Sequence, residues 1–208
     1  TIDTVPVSDG RFSWTPSDYV SGDPDLRYRI ELSTSGATSL TTRSREAFSI
    51  PNVTPSAAQV FYINDKDQAS DVYTTAVGDN RITGTTAHDP KEVVRPLVLS
   101  YAMGQGDVVR VDTGNYVHAI NLNLSGSPMS FDPRMNTVEK TDITGPTDLN
   151  NVARIDRANP YPGSKTIDII DSDEMSLQNL TMVGAHTGVH VRQDSRDLVG
   201  KHVTLAYH

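Results

Sequence analysis

The sequence predicts an all-β chain whose C-terminal part is a solenoid, a stack of short coils in which each turn of chain covers its neighbour. The hydrophobic content is 36% and the charged content 21%, with many Ser, Thr, Asp, Asn and Gly residues, which favours turn-rich β structure. Short runs of alternating apolar and polar residues recur along the chain. Finally, residues 166–184 match residues 187–207 when shifted by about 22 or 23 positions, a period typical of solenoids.

This repeat defines which side chains should face the core. The superposed apolar pairs are Ile167 with Val189, Ile169 with Val191, Met175 with Leu198, Leu180 with Val203, and Met182 with Leu205. Because successive side chains of a strand point to opposite faces, the residues between the paired positions should point outward. The predicted outward side chains are Asp168, His190, Arg192 and His202.

The sequence predicts a separate first unit at residues 1–52. Alternating runs at 11–15, 26–32 and 45–50 indicate three strands. Their segments GRFSWT, YRI and FSI resemble the second half of an immunoglobulin-like extracellular domain. A complete sandwich of this kind needs about seven strands in about 100 residues, so the resemblance implies a partial Ig-like domain. Trp14, the one tryptophan of the chain, is then expected in its core.

Residues 53–60 are read as a linker, and residues 61–208 as the second unit. The elements predicted there are a strand at 61–65, a polar loop at 66–89, a helix within 90–102, strands at 106–112 and 119–124, a loop-rich stretch at 125–165 interrupted near 152–155, and the two repeated coils. Pro96 lies inside the predicted helix and should bend or shorten it.

The second unit resembles the capped start of a right-handed parallel β-helix of large bacterial surface and secreted proteins. The matching sequence segments include YIND at 62–65, GDVVRVDTGNY at 106–116 and GVHVR at 188–192. The resemblance implies that the helix before GDVV caps the N-terminal end of the solenoid. It implies a fold rather than an activity, because the same scaffold serves adhesins, polysaccharide lyases, hydrolases and epimerases.

Composition excludes several function classes. A net charge of −8 and a pI of about 5.1 argue against nucleic acid, whose phosphates require clustered Lys and Arg. No run approaches the roughly 18 apolar residues that span a bilayer, so membrane insertion is not expected. The absence of cysteine excludes disulfides and Cys-ligated zinc. The opening TIDTVPVSDG carries no signal peptide, and we expect it to be a processed or excised end.

Acidic residues in the polar loop suggest a metal site. Calcium prefers six to eight oxygen ligands, and extracellular calcium sites are commonly loop-borne. Asp65, Asp67 and Asp71 are the predicted ligands of a structural Ca²⁺. The alternative is a set of Asx turns, in which Asp side chains bond their own backbone. The spacing does not match an EF-hand loop.

The last coils contain the nearest candidates for the acid–base chemistry of a lyase or epimerase. A lyase or epimerase needs a base and a group that neutralises the substrate carboxylate, and His190 and Arg192 are the nearest matches. The alternative is that both are solvent-facing polar residues of a solenoid. We favour this alternative, so no catalytic residue is assigned and no enzyme activity is expected.

The sequence therefore predicts a structural and adhesive extracellular module of a large surface protein, filament or sheath. Unpaired strand edges are templates for association, so the expected partners are a second copy or the remainder of a larger polypeptide, with carbohydrate as a further ligand class. The alternative functions are a carbohydrate-active β-helix enzyme, such as a polysaccharide lyase or epimerase, and a phage tail-spike segment.

Overall fold

The computed structural model of the chain describes residues 31–33, 41–43, 58–127, 135–148 and 150–206. The chain divides into two compact units, Thr1–Thr54 and Pro55–His208. In the first unit, β1 (Glu31–Ser33) pairs antiparallel with β2 (Thr41–Arg43). The other elements of the predicted Ig-like domain, including Trp14, lie outside the described residues.

The second unit is mostly β, with one helix among its described residues. Its elements are β3 (Val60–Ile63), α1 (Val94–Ser100), β4 (Val108–Val111), β5 (Gly114–Val117), β6 (Leu122–Ser125), β7 (Asp142–Thr144), β8 (Ala153–Asn159), β9 (Lys165–Ile170), β10 (Ser176–Gln178), β11 (Leu180–Ala185), β12 (Thr187–Arg192), β13 (Val199–Lys201) and β14 (Thr204–Leu205). The prediction of a predominantly β chain is confirmed.

The strands form three parallel sheets that the chain visits in turn. The first sheet has the order β13-β10-β7-β4-β3, the second β14-β11-β8-β5, and the third β12-β9-β6. Each passage through the three sheets therefore lays its strands beside those of the preceding passage, at the usual spacing of about 4.8 Å. The register confirms the apolar repeat, because Ile167 pairs with Val189, Ile169 with Val191, and Met182 with Leu205.

The inward side chains of all three sheets merge into one apolar core. Residues that stack in register include Phe61, Val109, Ile143 and Leu177 in the first sheet, Tyr116, Ile155 and Met182 in the second, and Leu122 and Ile167 in the third. Fully burying one such side chain stabilises the fold by about 1.5–3 kcal/mol. Because each passage contributes only a few of these residues, the core depends on the stack as a whole.

Helix α1 covers the core at the end of the stack formed by the earliest strands. Its residues Val94, Leu97 and Val98 are fully buried in the core cluster, and the helix contacts β6. Pro96 lies in its first turn, where the backbone N–H has no partner within a helix, so the proline shortens the predicted helix without breaking it. No helix in the described parts of the chain is long and apolar enough to cross a membrane.

Two strands were not predicted from the sequence. Strand β5 lies between the strands predicted at 106–112 and 119–124, and β7 lies in the stretch interpreted as loop-rich. Each contributes one fully buried apolar side chain to the core, Tyr116 and Ile143 respectively. One inward residue does not make a periodic pattern, so alternation cannot reveal strands this short. The strand predicted at 119–124 begins later, at Leu122.

Candidate functional site

A cluster of charged side chains lies on the outer face of the third sheet. We call Asp168, Lys165, His190 and Arg192 the Asp168 cluster. Oδ1 of Asp168 lies 2.8 Å from Nδ1 of His190 and 3.3 Å from Nε of Arg192. Oδ2 of Asp168 accepts a hydrogen bond from Nζ of Lys165 at 2.9 Å. One carboxylate therefore holds three nitrogen-bearing side chains.

Strand alternation and register explain how the cluster forms. Ile167 and Ile169 on β9 point into the core, so Asp168 between them points outward. Asp168 pairs in register with His190 on β12, which places the two side chains next to each other on the same face. Arg192 lies two residues further along β12 and shares that face.

The carboxylate lies beneath the cations. The side chain of Asp168 is 4% exposed, whereas those of Lys165, Arg192 and His190 are 21%, 33% and 41% exposed. Burial by itself raises the pKa of Asp168, but the hydrogen bonds from His190, Lys165 and Arg192 outweigh it, and the pKa is lowered. Asp168 is therefore an ionised, fully engaged acceptor, and the surface of the cluster is made of nitrogen-bearing side chains.

The bond to Asp168 also sets the tautomer of His190. An ionised carboxylate only accepts hydrogen bonds, so Nδ1 of His190 carries the proton. In the neutral ring Nε2 is then a lone-pair acceptor, and the exposed side chain presents it at the surface. A histidine oriented in this way by a carboxylate can exchange a proton with a bound ligand.

The sequence identified most of this cluster but missed Lys165. Asp168, His190 and Arg192 were predicted to point outward, and the structure brings them together. Lys165 lies three residues before Asp168, and an odd separation in a strand places two residues on opposite faces. Its long side chain nevertheless reaches Asp168 from the first position of β9, which no alternation rule anticipates. His202, also predicted outward, is exposed and lies elsewhere, with its Nδ1 3.1 Å from Oδ1 of Asn179.

The three predicted calcium ligands all lie in the loop after β3, and each accepts a hydrogen bond from a protein donor, while Oδ1 of Asp71 is buried without a partner. Oδ1 of Asp65 accepts the N–H of Asp67 at 2.8 Å, and Oδ1 of Asp67 accepts the N–H of Ala69 at 3.0 Å. Oδ2 of Asp71 accepts Nδ2 of Asn64 at 2.7 Å. The first two are the Asx turns that were the alternative interpretation.

Calcium in this loop stays a prediction. Within the described ranges, no three acidic or histidine side chains are grouped so as to hold a metal ion. If Ca²⁺ stabilises the loop, adding a chelator lowers the melting temperature, and Asp71→Asn removes that response. An unchanged melting temperature assigns the carboxylates to hydrogen bonding alone.

The carboxylate of Asp112 anchors this loop. Asp112, at the end of β4, is fully buried. Its Oδ1 accepts the backbone N–H groups of Val72 at 2.7 Å and Thr113 at 2.8 Å. Its Oδ2 accepts the N–H groups of Tyr73 at 2.8 Å and Thr74 at 2.7 Å, and the Thr74 hydroxyl at 2.8 Å. Asp112 thus fixes a loop that lies about 40 residues earlier in the chain.

The same loop is held on the first sheet by an arginine between two aromatic rings. The guanidinium of Arg110 lies 5.9 Å from the ring centre of Tyr62 and 5.3 Å from that of Tyr73, within the range of cation–π attraction. The Tyr73 hydroxyl donates to the backbone oxygen of Gly145 at 2.9 Å. These contacts give Tyr62 and Tyr73 a structural role. The Asp168 cluster is therefore the stronger candidate for a functional site.

The inner face of the last passage is uncovered. Val191 and Leu205, predicted to be core, are 45% and 54% exposed, and that part of the prediction is wrong. Both point to the inner face of the stack, because they pair in register with the buried Ile169 and Met182. Strands β12, β13 and β14 are the outermost strands at one edge of their sheets, and no described strand stacks beyond them.

Comparison with models of known protein families, with curated proteins and with solved structures gave no match for this chain.

Proposed function

We propose that this chain is a structural and adhesive module of a large extracellular protein. In this proposal residues 61–208 form the capped first coils of a right-handed parallel β-helix, and residues 1–52 form the second half of an Ig-like domain. The observation that carries the proposal is the contrast between the two ends of the stack of sheets. One end is covered by a helix, and the other presents apolar side chains and strand edges.

The repeated passage through three parallel sheets supports a role as a rigid support. Such a stack buries its core by neighbour-on-neighbour packing and displays regular rows of side chains on its outer faces. One such row on the outer face of the third sheet is the column Asn123, Asp168 and His190, in which the side chain of His190 is 41% exposed and that of Asp168 lies beneath it. Rows of exposed polar groups on a stiff body suit adhesion.

The uncovered end supports association through stacking. Edge strands carry backbone N–H and C=O groups that can pair with another chain, and here three edges lie at one end of the stack. We propose that a second copy of this chain covers the uncovered end. A second copy brings the same three edges and the same exposed Val191 and Leu205, so the contact is self-complementary, as in a two-fold dimer. In a longer polypeptide, further coils would cover the same face.

A double substitution tests this association. We expect Val191→Lys with Leu205→Lys to weaken self-association at least about tenfold, because stacking would bury two ammonium groups against an apolar face. Sedimentation equilibrium over a range of concentrations measures the dissociation constant. Val77→Lys is the matched control, since Val77 is also about half exposed, at 46%, but lies in the loop before α1.

The unsubstituted chain should approach twice the 22.7 kDa of one copy as its concentration rises. A chain that stays monomeric and well folded at high concentration would contradict the proposal that a second copy covers the uncovered end. Equal effects of the Val77 control and the double substitution would show that the stacking end is not the contact.

The second candidate function is that of a carbohydrate-active β-helix enzyme. It is favoured by the pair of Asp168 and His190, because a carboxylate that orients a histidine is a common arrangement of a general base. Incubation with acidic polysaccharides, monitored by the ultraviolet absorbance of unsaturated products, tests for elimination. Activity that disappears in His190→Gln would favour this candidate over the adhesive module.

A further inference from the structure

Two buried oxygen atoms in the region after β3 accept no hydrogen bond from the described residues. They are Oδ1 of Asn64, a fully buried residue, and Oδ1 of Asp71. We call these two atoms the oxygen pair. Buried polar atoms of folded proteins almost always have a partner, so two unpartnered acceptors in one loop indicate a partner from outside the chain.

The direction of the Asn64 amide is set by its own donors. Its Nδ2 donates to Oδ2 of Asp71 at 2.7 Å and to the backbone oxygen of Ala76 at 2.8 Å. A carboxylate and a carbonyl only accept hydrogen bonds, so exchanging the nitrogen and oxygen of the amide would place oxygen against oxygen. The unpartnered atom of Asn64 is therefore an oxygen. Because Asn64 and Asp71 are hydrogen-bonded to each other, the two atoms of the oxygen pair lie close together.

The neighbouring carboxylates are already satisfied by N–H groups of the chain. Both oxygens of Asp112 accept backbone N–H groups of the loop. Oδ1 of Asp65 accepts the N–H of Asp67, and its Oδ2 accepts the N–H of Asn115 at 2.9 Å. The oxygen pair differs from these carboxylates, because its two buried acceptors have no donor.

The surroundings of the oxygen pair are negatively charged. Burial raises the pKa of Asp71, and the charges of Asp112 and Asp65 raise it further, against the bond from Asn64. In the part of the chain that the structure describes, no lysine or arginine forms an ion pair with any of these three carboxylates. A cation beside Asp71 would offset the repulsion, whereas an anion would add to it. The surroundings therefore select a positively charged partner.

From this arrangement we propose a cation site in which both atoms of the oxygen pair bind one ion, and calcium is the ion whose chemistry fits best. Calcium takes carboxylate oxygens, amide oxygens and water in a flexible geometry, whereas magnesium demands a near-ideal octahedron. The protein ligands are one carboxylate and one amide. A site of this composition does not require three acidic or histidine side chains, and within the described ranges no such group is found.

This site differs from the calcium site that the sequence predicts. Of the three predicted ligands only Asp71 remains, and Asn64 replaces the other two. Asp65 and Asp67 instead shape the loop through their Asx turns. Asn64 directly follows β3, so an ion shared with Asp71 would join the end of the strand to the loop. The proposal does not depend on the adhesive function.

The test is thermal unfolding of the full chain after treatment with a chelator, with CaCl₂, MgCl₂ or KCl added at constant ionic strength. We expect CaCl₂ to raise the melting temperature in a saturable manner, since an ion that binds only the folded chain stabilises it. MgCl₂ and KCl should have smaller effects. Isothermal titration calorimetry with CaCl₂ then gives the dissociation constant.

Asp71→Asn is the decisive variant. It removes the charged ligand and should weaken calcium binding at least about tenfold. The fold should survive, because the new amide can donate to Oδ1 of Asn64 while its oxygen accepts from Nδ2 of Asn64. Asp67→Asn is the matched control, since it removes the same charge from an exposed residue of the same loop and should leave the calcium affinity unchanged.

A measurement on the unsubstituted chain keeps the test valid if Asp71→Asn does not fold. The carbon signal of the Asn64 side-chain carbonyl, followed by nuclear magnetic resonance, should shift saturably with CaCl₂. The midpoint of that shift should agree with the dissociation constant from calorimetry.

Three results would overturn the proposal. The first is a melting temperature and an Asn64 carbonyl signal that CaCl₂ does not change. The second is an equal loss of calcium affinity in Asp71→Asn and Asp67→Asn, which would place the ion on the surface of the loop. The third is an equal response to CaCl₂, MgCl₂ and KCl, which would indicate a general effect of salt.

Discussion

Replacing Asp112 with alanine is expected to destabilise the second unit by about 3–5 kcal/mol, because it removes at once the acceptor of several hydrogen bonds, those of the Thr74 N–H and hydroxyl being buried. The carboxylate is fully buried and accepts bonds from the N–H groups of Val72, Tyr73 and Thr74. Without it these donors lose their partner, and the N–H of Thr74 is buried. The free energy of unfolding in urea measures the loss.

Hydrogen exchange of the backbone amides measures the local effect of the same substitution. The amides of residues 72–74 should exchange much faster in Asp112→Ala than in the unsubstituted chain, while those of β9 and β11 should change less. Asp194→Asn is the control, since Asp194 is exposed, and a surface change of this kind alters stability by no more than about 0.5 kcal/mol. A loss as small as that in Asp112→Ala would show that the loop does not depend on its anchor.

Acidification from pH 6.5 to pH 4 is expected to cost on the order of 3 kcal/mol of stability through His118 alone. Burial, and then the positive charges of Arg157 and Arg95, lower the pKa of His118 from its ordinary value of 6.5 to about 4. The side chain is only 4% exposed, and its Nε2 is buried without a hydrogen-bond partner. The folded state therefore keeps the ring neutral while the unfolded state takes up a proton.

The sign follows from this difference in proton binding. Above pH 6.5 the ring is neutral in both states, and the contribution to stability is fully present. As the pH falls through 6.5 towards 4, only the unfolded chain gains a proton, so the free energy of unfolding decreases. Urea unfolding at pH 7, 6 and 5 measures the slope.

The variant His118→Gln should show a shallower dependence on pH over this window, and His88→Gln, at an exposed histidine, serves as control. A slope that is the same in His118→Gln as in the unsubstituted chain would show that other groups account for the acid sensitivity.

The parts of the fold that repeat were predictable from the sequence. Ile167 and Val189 were aligned because both belong to apolar runs of the same length and spacing, and the parallel register confirms the pairing. The same alternation predicted the outward direction of Asp168 and His190. A periodic pattern records which face a residue lies on, because burial is the property that it reflects.

Contacts between non-repeating parts of the chain were not predictable. Asp112 accepts its bonds mostly from backbone N–H groups of the loop near Tyr73, and a backbone donor leaves no signature in the sequence. Lys165 joins the cluster through the length of its side chain rather than through strand parity. Val191 was predicted to be core because its position in the repeat is a core position. Its exposure depends on what stacks above it, which no local pattern can report.

The helix that covers one end of the core has a consequence for the size of any assembly. A body with two open ends can add copies at both and grow into a fibre, whereas a body with one closed end can only meet another copy open end to open end. Val94, Leu97 and Val98 of α1 close the first end from within. Association through the other end should therefore stop at a pair, and a mass that keeps growing with concentration would have to come from a different surface.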